Sequence, residues 1–331
     1  MTATITLFGI SGDILLYAVL AVAFVLFIVD IVLWFSQRES YRWYVGHPYE
    51  PEDYLLPPIL GQQKFYYVDS IAASFYRLIK DGYLKVVFAK DKAIMGEMTK
   101  IKIKKVDTPS DKVLASIYEL IPDLVSESGL FGETQTDTID VDDLYSHFAK
   151  IDKRQFWEKY MQLVDDAYEE KYGKPRKSIK GITYLIGAFS VLWAGVSAYV
   201  TYLTREVNMY YVGYTVSVLL VLVGLLMFRI HYMWSPTAKK FRSRWLGFKK
   251  AVVSGNVEID NFYDLLGYAL ALGIVEHYLD VVKNQIIDGK VKVGKPPFAE
   301  TEKLSFSDIR ALVGAVNMLA GSLGGTGKLW K

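Results

Sequence analysis

The sequence predicts a mostly α membrane protein. It has three transmembrane helices, a cytoplasmic α+β winged-helix-like domain between helices 1 and 2, and a C-terminal cytoplasmic region of amphipathic helices. Three observations lead there. Apolar residues make up 52% of the 331 residues while 22% are charged, so the apolar excess must be gathered into segments. Three segments reach the roughly 20 predominantly apolar residues that a helix needs to cross a bilayer core. Lys and Arg crowd one end of each segment, as the positive-inside rule requires.

The first span runs from Ile14 to Phe35 and carries one charge, Asp30. The second, Gly181 to Leu203, and the third, Tyr210 to Phe228, carry none. Tyr17, Trp34, Tyr184, Tyr202, Tyr210, Tyr211, Tyr232 and Trp234 stand near the ends, where amphipathic rings prefer the interface. No Lys or Arg precedes the first span, its apolar run is long, and no small-residue cleavage site follows, so it reads as an anchor rather than a signal peptide. Within spans two and three, Ser190, Ala194 and Ala198 recur every four positions, as do Gly213 and Ser217. That spacing lets helices approach closely in lipid. It suits packing inside the 2–3 hairpin and against span one, with a homo-oligomer interface as the alternative.

Orientation follows from the bases at the span ends. Residues 1–13 have none, while Arg38 and Arg42 follow span one and Lys171, Lys174, Arg176, Lys177 and Lys180 precede span two. Only Arg205 lies between spans two and three, and Arg229, Lys239, Lys240, Arg242, Arg244, Lys249 and Lys250 follow the third. The expectation is a multi-pass plasma-membrane protein of a prokaryote. Residues 1–13 are extracellular, 36–180 cytoplasmic, 204–209 an external loop and 229–331 cytoplasmic.

In the cytoplasmic middle, residues 39–58 read as a linker in which Pro48, Pro51, Pro57 and Pro58 block helix. From Asp69, the apolar positions Ile71, Phe75, Leu78 and Ile79 predict a helix ended by Gly82. Tyr83 to Phe88 predicts a strand, Lys90, Asp91 and Lys92 a turn, and Lys100 to Val106 a second strand with Ile101 and Ile103 on one face. A helix followed by a two-stranded ribbon is the closing half of a winged helix. Helices over 111–125, 142–150 and 154–171, with a short strand near 138–141, predict a second unit of the same kind, a tandem. After the last span, residues 235–250 are basic with Phe241, Trp245 and Phe248 interleaved. An amphipathic helix is expected from Asp260 to Ile287, resting on the membrane surface or on the soluble domain, and a short helix capped by Ser305 or Ser307 to Leu319. Residues 321–331 read as a Gly-rich mobile end.

Two stretches carry a family resemblance. Ile71-Ala-Ala-Ser-Phe-Tyr-Arg-Leu-Ile-Lys-Asp-Gly-Tyr-Leu84 resembles the cytoplasmic helix that turns into a strand through an (R/D)GYL motif in the YciQ-like membrane proteins of bacteria and archaea. Asn261-Phe-Tyr-Asp-Leu-Leu-Gly-Tyr-Ala-Leu-Ala-Leu-Gly273 is similar to that family's YLPYALALG motif after its final transmembrane hairpin. The likeness is spread over about residues 50–331. Larger members carry an extracellular β-rich domain where this sequence has residues 1–13. The resemblance implies the topology, and it brings no activity and no catalytic residues.

The absence of cysteine excludes disulfides, thiolate metal sites and cysteine nucleophiles. His47, His147, His231 and His277 form no His-Glu-x-x-His or paired spacing, and Gly321 to Lys328 lacks the first Gly and the Ser/Thr of a phosphate loop. No catalytic, cofactor or metal site is therefore expected. Three candidate sites remain. Asp30 is an intramembrane acid about a turn and a half from the cytoplasmic end, within reach of headgroup water, Arg229 or Arg38. Lys85, Lys100, Lys102 and Lys104 could meet phosphates or a protein partner, although Glu133, Asp137, Asp140, Asp142 and Asp143 nearby would repel nucleic acid. Lys239, Lys240, Arg242, Arg244 and Trp245 suit anionic lipid headgroups. The leading expectation is a non-enzymatic scaffold that docks a protein partner at the inner leaflet. A membrane-tethered nucleic-acid-binding regulator and a small transporter subunit are the alternatives.

Overall fold

The computed structural model describes residues 6–7, 10–36, 52–61, 63–93, 96–123, 125–129, 132–136, 138–204, 207–259, 261–289, 296 and 304–324. Arg38, Arg42, the first part of the expected linker, Arg205 and the end after 324 lie outside them. In chain order the elements begin with β1 (Thr6–Leu7), β2 (Ile10–Ser11) and α1 (Gly12–Ser36). A 3-10 turn at Asp53–Leu55 precedes α2 (Pro57–Leu60), α3 (Lys64–Lys80), β3 (Leu84–Ala93) and β4 (Gly96–Lys105). Then come α4 (Lys112–Tyr118), β5 (Val125–Gly129), β6 (Gly132–Thr136), β7 (Ile139–Asp140), α5 (Val141–Ala149) and α6 (Lys153–Tyr172). The chain continues through β8 (Arg176–Ser178), α7 (Lys180–Thr204), α8 (Val207–Met227), β9 (Tyr232–Trp234) and α9 (Pro236–Val253). It closes with α10 (Phe262–Ala271), α11 (Val275–Ile287) and α12 (Phe306–Gly324).

The residues divide into two compact units, one of 1–40 with 176–236 and one of 41–175 with 237–331. In the first unit, α1, α7 and α8 are long and apolar enough to cross a membrane. They pack up-down-up. Leu16 and Val19 of α1 meet Val200 of α7, and Ala23 meets Ala194 and Leu220. The Trp193 indole N–H donates to the Val19 carbonyl at 3.1 Å. Small residues make this fit possible. A Cβ on Gly187 would lie 2.7 Å from the Gly224 carbonyl oxygen, and one on Gly213 would lie 2.2 Å from the Thr201 hydroxyl. Buried hydroxyls bond back to their own helices, Thr201 to the Ser197 carbonyl at 2.7 Å and Ser217 to the Gly213 carbonyl at 2.8 Å. The small-residue spacing is thus used inside the unit. The outward faces are apolar, with Phe24 58% exposed, Leu192 70% and Leu185 75%.

The second unit is built from two distant stretches of chain. Helix α3 is its axis. Ile71, Ala73, Phe75, Tyr76, Leu78 and Ile79 on α3 are fully or almost fully buried, on more faces than one amphipathic stripe would cover. The added faces are covered by α10 and α12, which both pack on α3, and α12 also reaches α5, α6 and β4. The helices after the last apolar span are therefore part of the same core as the middle segment.

Several local expectations change for identifiable reasons. Pro57 and Pro58 open α2 instead of blocking it, because the first helical positions need no N–H. Helix α3 begins at Lys64, ahead of Asp69, with no side-chain cap at Gln63 to mark the start. Strand β3 runs through the expected turn at 90–92 and stays paired to Ala93, opposite Gly96. Helix α4 stops at Tyr118 rather than reaching 125, since Pro122 has no N–H for a helix interior. Gly273, at φ 64°, splits the expected helix of 260–287 into α10 and α11. A Cβ there would also meet the Asp69 carboxylate. Ser305 does cap α12, its hydroxyl accepting from the Asp308 N–H at 3.1 Å, but the helix continues to Gly324 through the first of the tail glycines. Strand β7 pairs with β4 (Lys102 opposite Asp140, Ile103 opposite Ile139) and so joins the sheet β3-β4-β7, while β5 and β6 form a separate antiparallel hairpin after α4.

Candidate functional site

Asp30 faces the interior of the first unit and is fully buried. Its Oδ2 accepts from the Ser190 hydroxyl at 2.9 Å, while Oδ1 has no hydrogen-bond partner among the described residues. The structure supplies Ser190 on α7, in place of Arg229, and the bond clasps α1 to α7. Replacing Asp30 with Asn, whose amide oxygen can still accept, is expected to leave thermal stability nearly unchanged. Replacing it with Leu orphans Ser190 and is expected to cost about 1–3 kcal/mol, read as a lower melting temperature in detergent.

In the second unit, the register of β3 and β4 gathers the candidate lysines. Lys85 stands directly opposite Lys104, Val87 opposite Lys102 and Ala89 opposite Lys100. Side chains alternate along a strand, so these six positions share one face. Leu84, Val86, Ile101 and Ile103 take the other face and are buried, whereas Val87 is exposed. Like charges directly opposite one another cost stability. Asp140 beside Lys102 is the acid that the third strand adds.

The basic segment after the last span does not present all its residues to solvent. It forms α9, and Trp245 is fully buried with its ring edge-on to Tyr268 at 5.0 Å. Trp245 is therefore a core residue and not a headgroup contact, because its apolar ring gains more from Tyr268 and the core than from an interface. Arg242 is also committed inward, donating to the Ile59 and Leu60 carbonyls at 2.7 Å each. Those carbonyls end α2, which a four-residue helix leaves without intrahelical donors. Arg242→Ala is expected to cost about 2–3 kcal/mol in thermal unfolding, with Arg242→Lys recovering only part of it because an ammonium lacks the planar fork. Lys239 and Arg244 are half-buried and Lys240 is exposed.

One group was not singled out by sequence reasoning. Asp53 is buried in the second unit and its Oδ1 accepts from the Tyr54 N–H at 3.0 Å. Burial pushes its carboxyl up to about 6, against the pull of Arg77 and Lys80. A Cβ on Gly267 would lie 2.5 Å from its Oδ2, so glycine in α10 lets this helix close over the acid. An isolated Asp within a Pro-rich stretch offered no signal for this, since its burial depends on residues more than 200 positions away. A cleft of about 220 Å³ lies between α4, the α5–α6 turn and α6, floored by Leu120, Ile151, Phe156 and Tyr160, with Glu119 and Lys159 on its rim. The Tyr160 hydroxyl is already held by Ser70 and Ser74 at 2.9 and 3.1 Å. Among the described residues, no cluster of three or more His, Asp or Glu is placed to hold a metal ion.

The geometry defines a helical chain with three apolar helices of membrane-crossing length and a separate packed unit that displays a basic sheet face. Comparison with protein-family models, with curated proteins and with solved structures gives no match.

Proposed function

We propose that the chain is an integral plasma-membrane protein, N-terminus outside, acting as a non-enzymatic scaffold that docks an acidic protein partner at the inner leaflet. The membrane reading is supported by the outward apolar faces of α1, α7 and α8, which would form a patch far larger than water-soluble surfaces carry. The inward orientation of the second unit is supported by the bases that flank the spans. The α3–β3–β4 run is read as a winged-helix-like half, a shape that serves for docking as well as for DNA, and fold alone does not decide between them. The two stretches similar to YciQ-like proteins support the same topology.

The observation that carries the docking reading is the pairing of Lys85 with Lys104 on a sheet face that also bears Lys100 and Lys102. A face that gathers four lysines offers an acidic partner a surface of complementary charge. Asp140 on that sheet, with Asp142 and Asp143 beside it in sequence, favours a mixed-charge protein surface over a uniform phosphate backbone. The test uses the full chain, because a fragment ending near 175 would strip α10 and α12 from α3. Mild detergent extraction of the wild type is expected to retain a stoichiometric partner that Lys85, Lys100, Lys102 and Lys104→Glu releases. Repeated extraction with no partner and no oligomer would count against the scaffold. Duplex DNA or RNA binding that survives physiological salt and is lost when the four lysines become Ala would favour the tethered regulator. The transporter alternative rests on Asp30, and Asp30→Asn with unchanged ion flux removes it.

A further inference from the structure

At one end of the first unit, the chain builds a small cationic-aromatic ribbon. Strand β8 pairs antiparallel with β9, Arg176 opposite Trp234, Lys177 opposite Met233 and Ser178 opposite Tyr232. The ribbon is fastened to the helices below it. The Ile179 N–H donates to the His231 carbonyl at 3.0 Å, and the Thr183 hydroxyl lies 2.6 Å from the Ile230 carbonyl oxygen. Helix α7 starts here and α8 ends here, and since α1 runs antiparallel to α7, its last residues share this end. Two cations lie over rings, the Arg176 guanidinium 4.7 Å from the Tyr232 ring centroid and the Lys180 ammonium 5.5 Å from that of Tyr184. Lys177 and Arg229 are exposed. The sequence holds no Asp or Glu from 171 to 205 or from 207 to 257, so the stretches that form the ribbon and its two helices carry only positive charge at this end.

We infer that this ribbon is a binding collar for the phosphate headgroups of anionic phospholipids, with Arg176, Lys177, Lys180 and Arg229 as its cations. The inference rests on the membrane reading above and adds to it a specific lipid class and site. Each part of the collar suits that ligand. Strand pairing holds Arg176 and Lys177 in fixed positions, which lowers the entropy lost when a phosphate is bound. Rings beneath the two cations are the amphipathic groups that settle at the headgroup level. Beside the cations the same elements expose apolar residues, Met233 on the ribbon and Ile182 and Leu185 on the first turns of α7. A lipid offers a phosphate for the first part and acyl chains for the second. A soluble phosphate offers only the former. The assignment also moves the lipid role away from α9, where Trp245 and Arg242 are engaged inside the second unit.

The test uses the full chain, reconstituted in vesicles of equal phosphatidylglycerol and phosphatidylcholine and extracted in mild detergent, with the retained lipids weighed by mass spectrometry. The wild type is expected to retain phosphatidylglycerol over phosphatidylcholine by about fivefold or more, given the attraction of several juxtamembrane bases to anionic lipid. Arg176, Lys177, Lys180 and Arg229→Gln should bring the ratio close to one. Arg176→Lys with Arg229→Lys should keep the preference and show that the fold has survived. An unchanged ratio in the Gln variant overturns the collar. So does an equal loss in Lys239→Gln with Lys240→Gln, or a wild-type preference abolished by millimolar inorganic phosphate. Release of the wild type from membranes by alkaline carbonate would sink the membrane reading itself, a result distinct from an embedded protein that shows no lipid preference.

Discussion

Gly187→Ala is expected to loosen the contact between α7 and α8 and to lower the melting temperature of the detergent-solubilised protein by several degrees. The added methyl would lie 2.7 Å from the Gly224 carbonyl oxygen and 3.2 Å from the Met227 Cβ. The first of these is backbone and cannot swing aside, so the helices must separate. Overpacking of this kind costs about 1–3 kcal/mol. In lipid the loss is felt fully, because close packing and not the hydrophobic effect holds such helices together. Ser190 follows one turn later on α7 and clasps Asp30 of α1, so a displaced α7 also weakens the hold on α1. Gly195→Ala is the control. Nothing lies within 4 Å of a Cβ there, and that variant should be neutral or slightly more stable. Equal melting temperatures for Gly187→Ala and the wild type would mean that the two helices do not touch as described.

The second large effect concerns Asp53. Its ordinary carboxyl value of 3.8 is raised to about 6 by burial, and Arg77 and Lys80 offset only part of that. A carboxyl raised on folding stabilises the fold fully below its unfolded value, and that stability is lost as pH rises through its folded value. The window is therefore pH 4 to 7, and the loss across it is at most about 3 kcal/mol, at 1.36 kcal/mol per unit. Glu52 acts in the opposite sense. Despite its burial, the hydrogen bonds from Lys171 and Tyr172 hold its carboxyl below the ordinary value, so its contribution is lost as pH falls. The two are separated by comparing Asp53→Asn with the wild type. Asn can still accept from the Tyr54 N–H, and it carries no charge to desolvate. The variant should be more stable than the wild type at pH 7 and no better at pH 4. A difference that does not change with pH would place Asp53 in a solvated setting.

Much of the first unit was legible in the sequence. The spans read at 14–35, 181–203 and 210–228 are α1, α7 and α8 to within three residues at either end, because twenty apolar residues in a row leave few alternatives. The Ile101–Ile103 alternation gave β4 its buried face for the same kind of local reason. What escaped was non-local. Nothing around the buried Leu312, Val313 and Val316 announces that their helix, α12, packs on α3, more than 200 residues upstream. Trp245 and Arg242 sit in a basic, aromatic segment that reads as a membrane flank, and only the position of α2 and Tyr268 turns them inward. The Asp30–Ser190 bond was hidden because a serine in a small-residue stripe looks like a spacer until the helix that crosses it is known. The lysine face lay between these cases. Its residues were readable one by one, but the pairing of Lys85 with Lys104 needed the register.

The central claim is that the two stretches forming the second unit, 41–175 and 237–331, lie together on the inner side of a membrane with the N-terminus outside. The chain has no cysteine, so single introduced cysteines report without background. We would place them at Thr2, at the exposed Ser146 after β7, and at the exposed Ser254 after α9, and treat intact cells with a membrane-impermeant maleimide. The account predicts labelling of Thr2→Cys at once, and of Ser146→Cys and Ser254→Cys only after permeabilisation. Labelling of Ser146→Cys or Ser254→Cys from outside, or of the two from opposite sides, would contradict it.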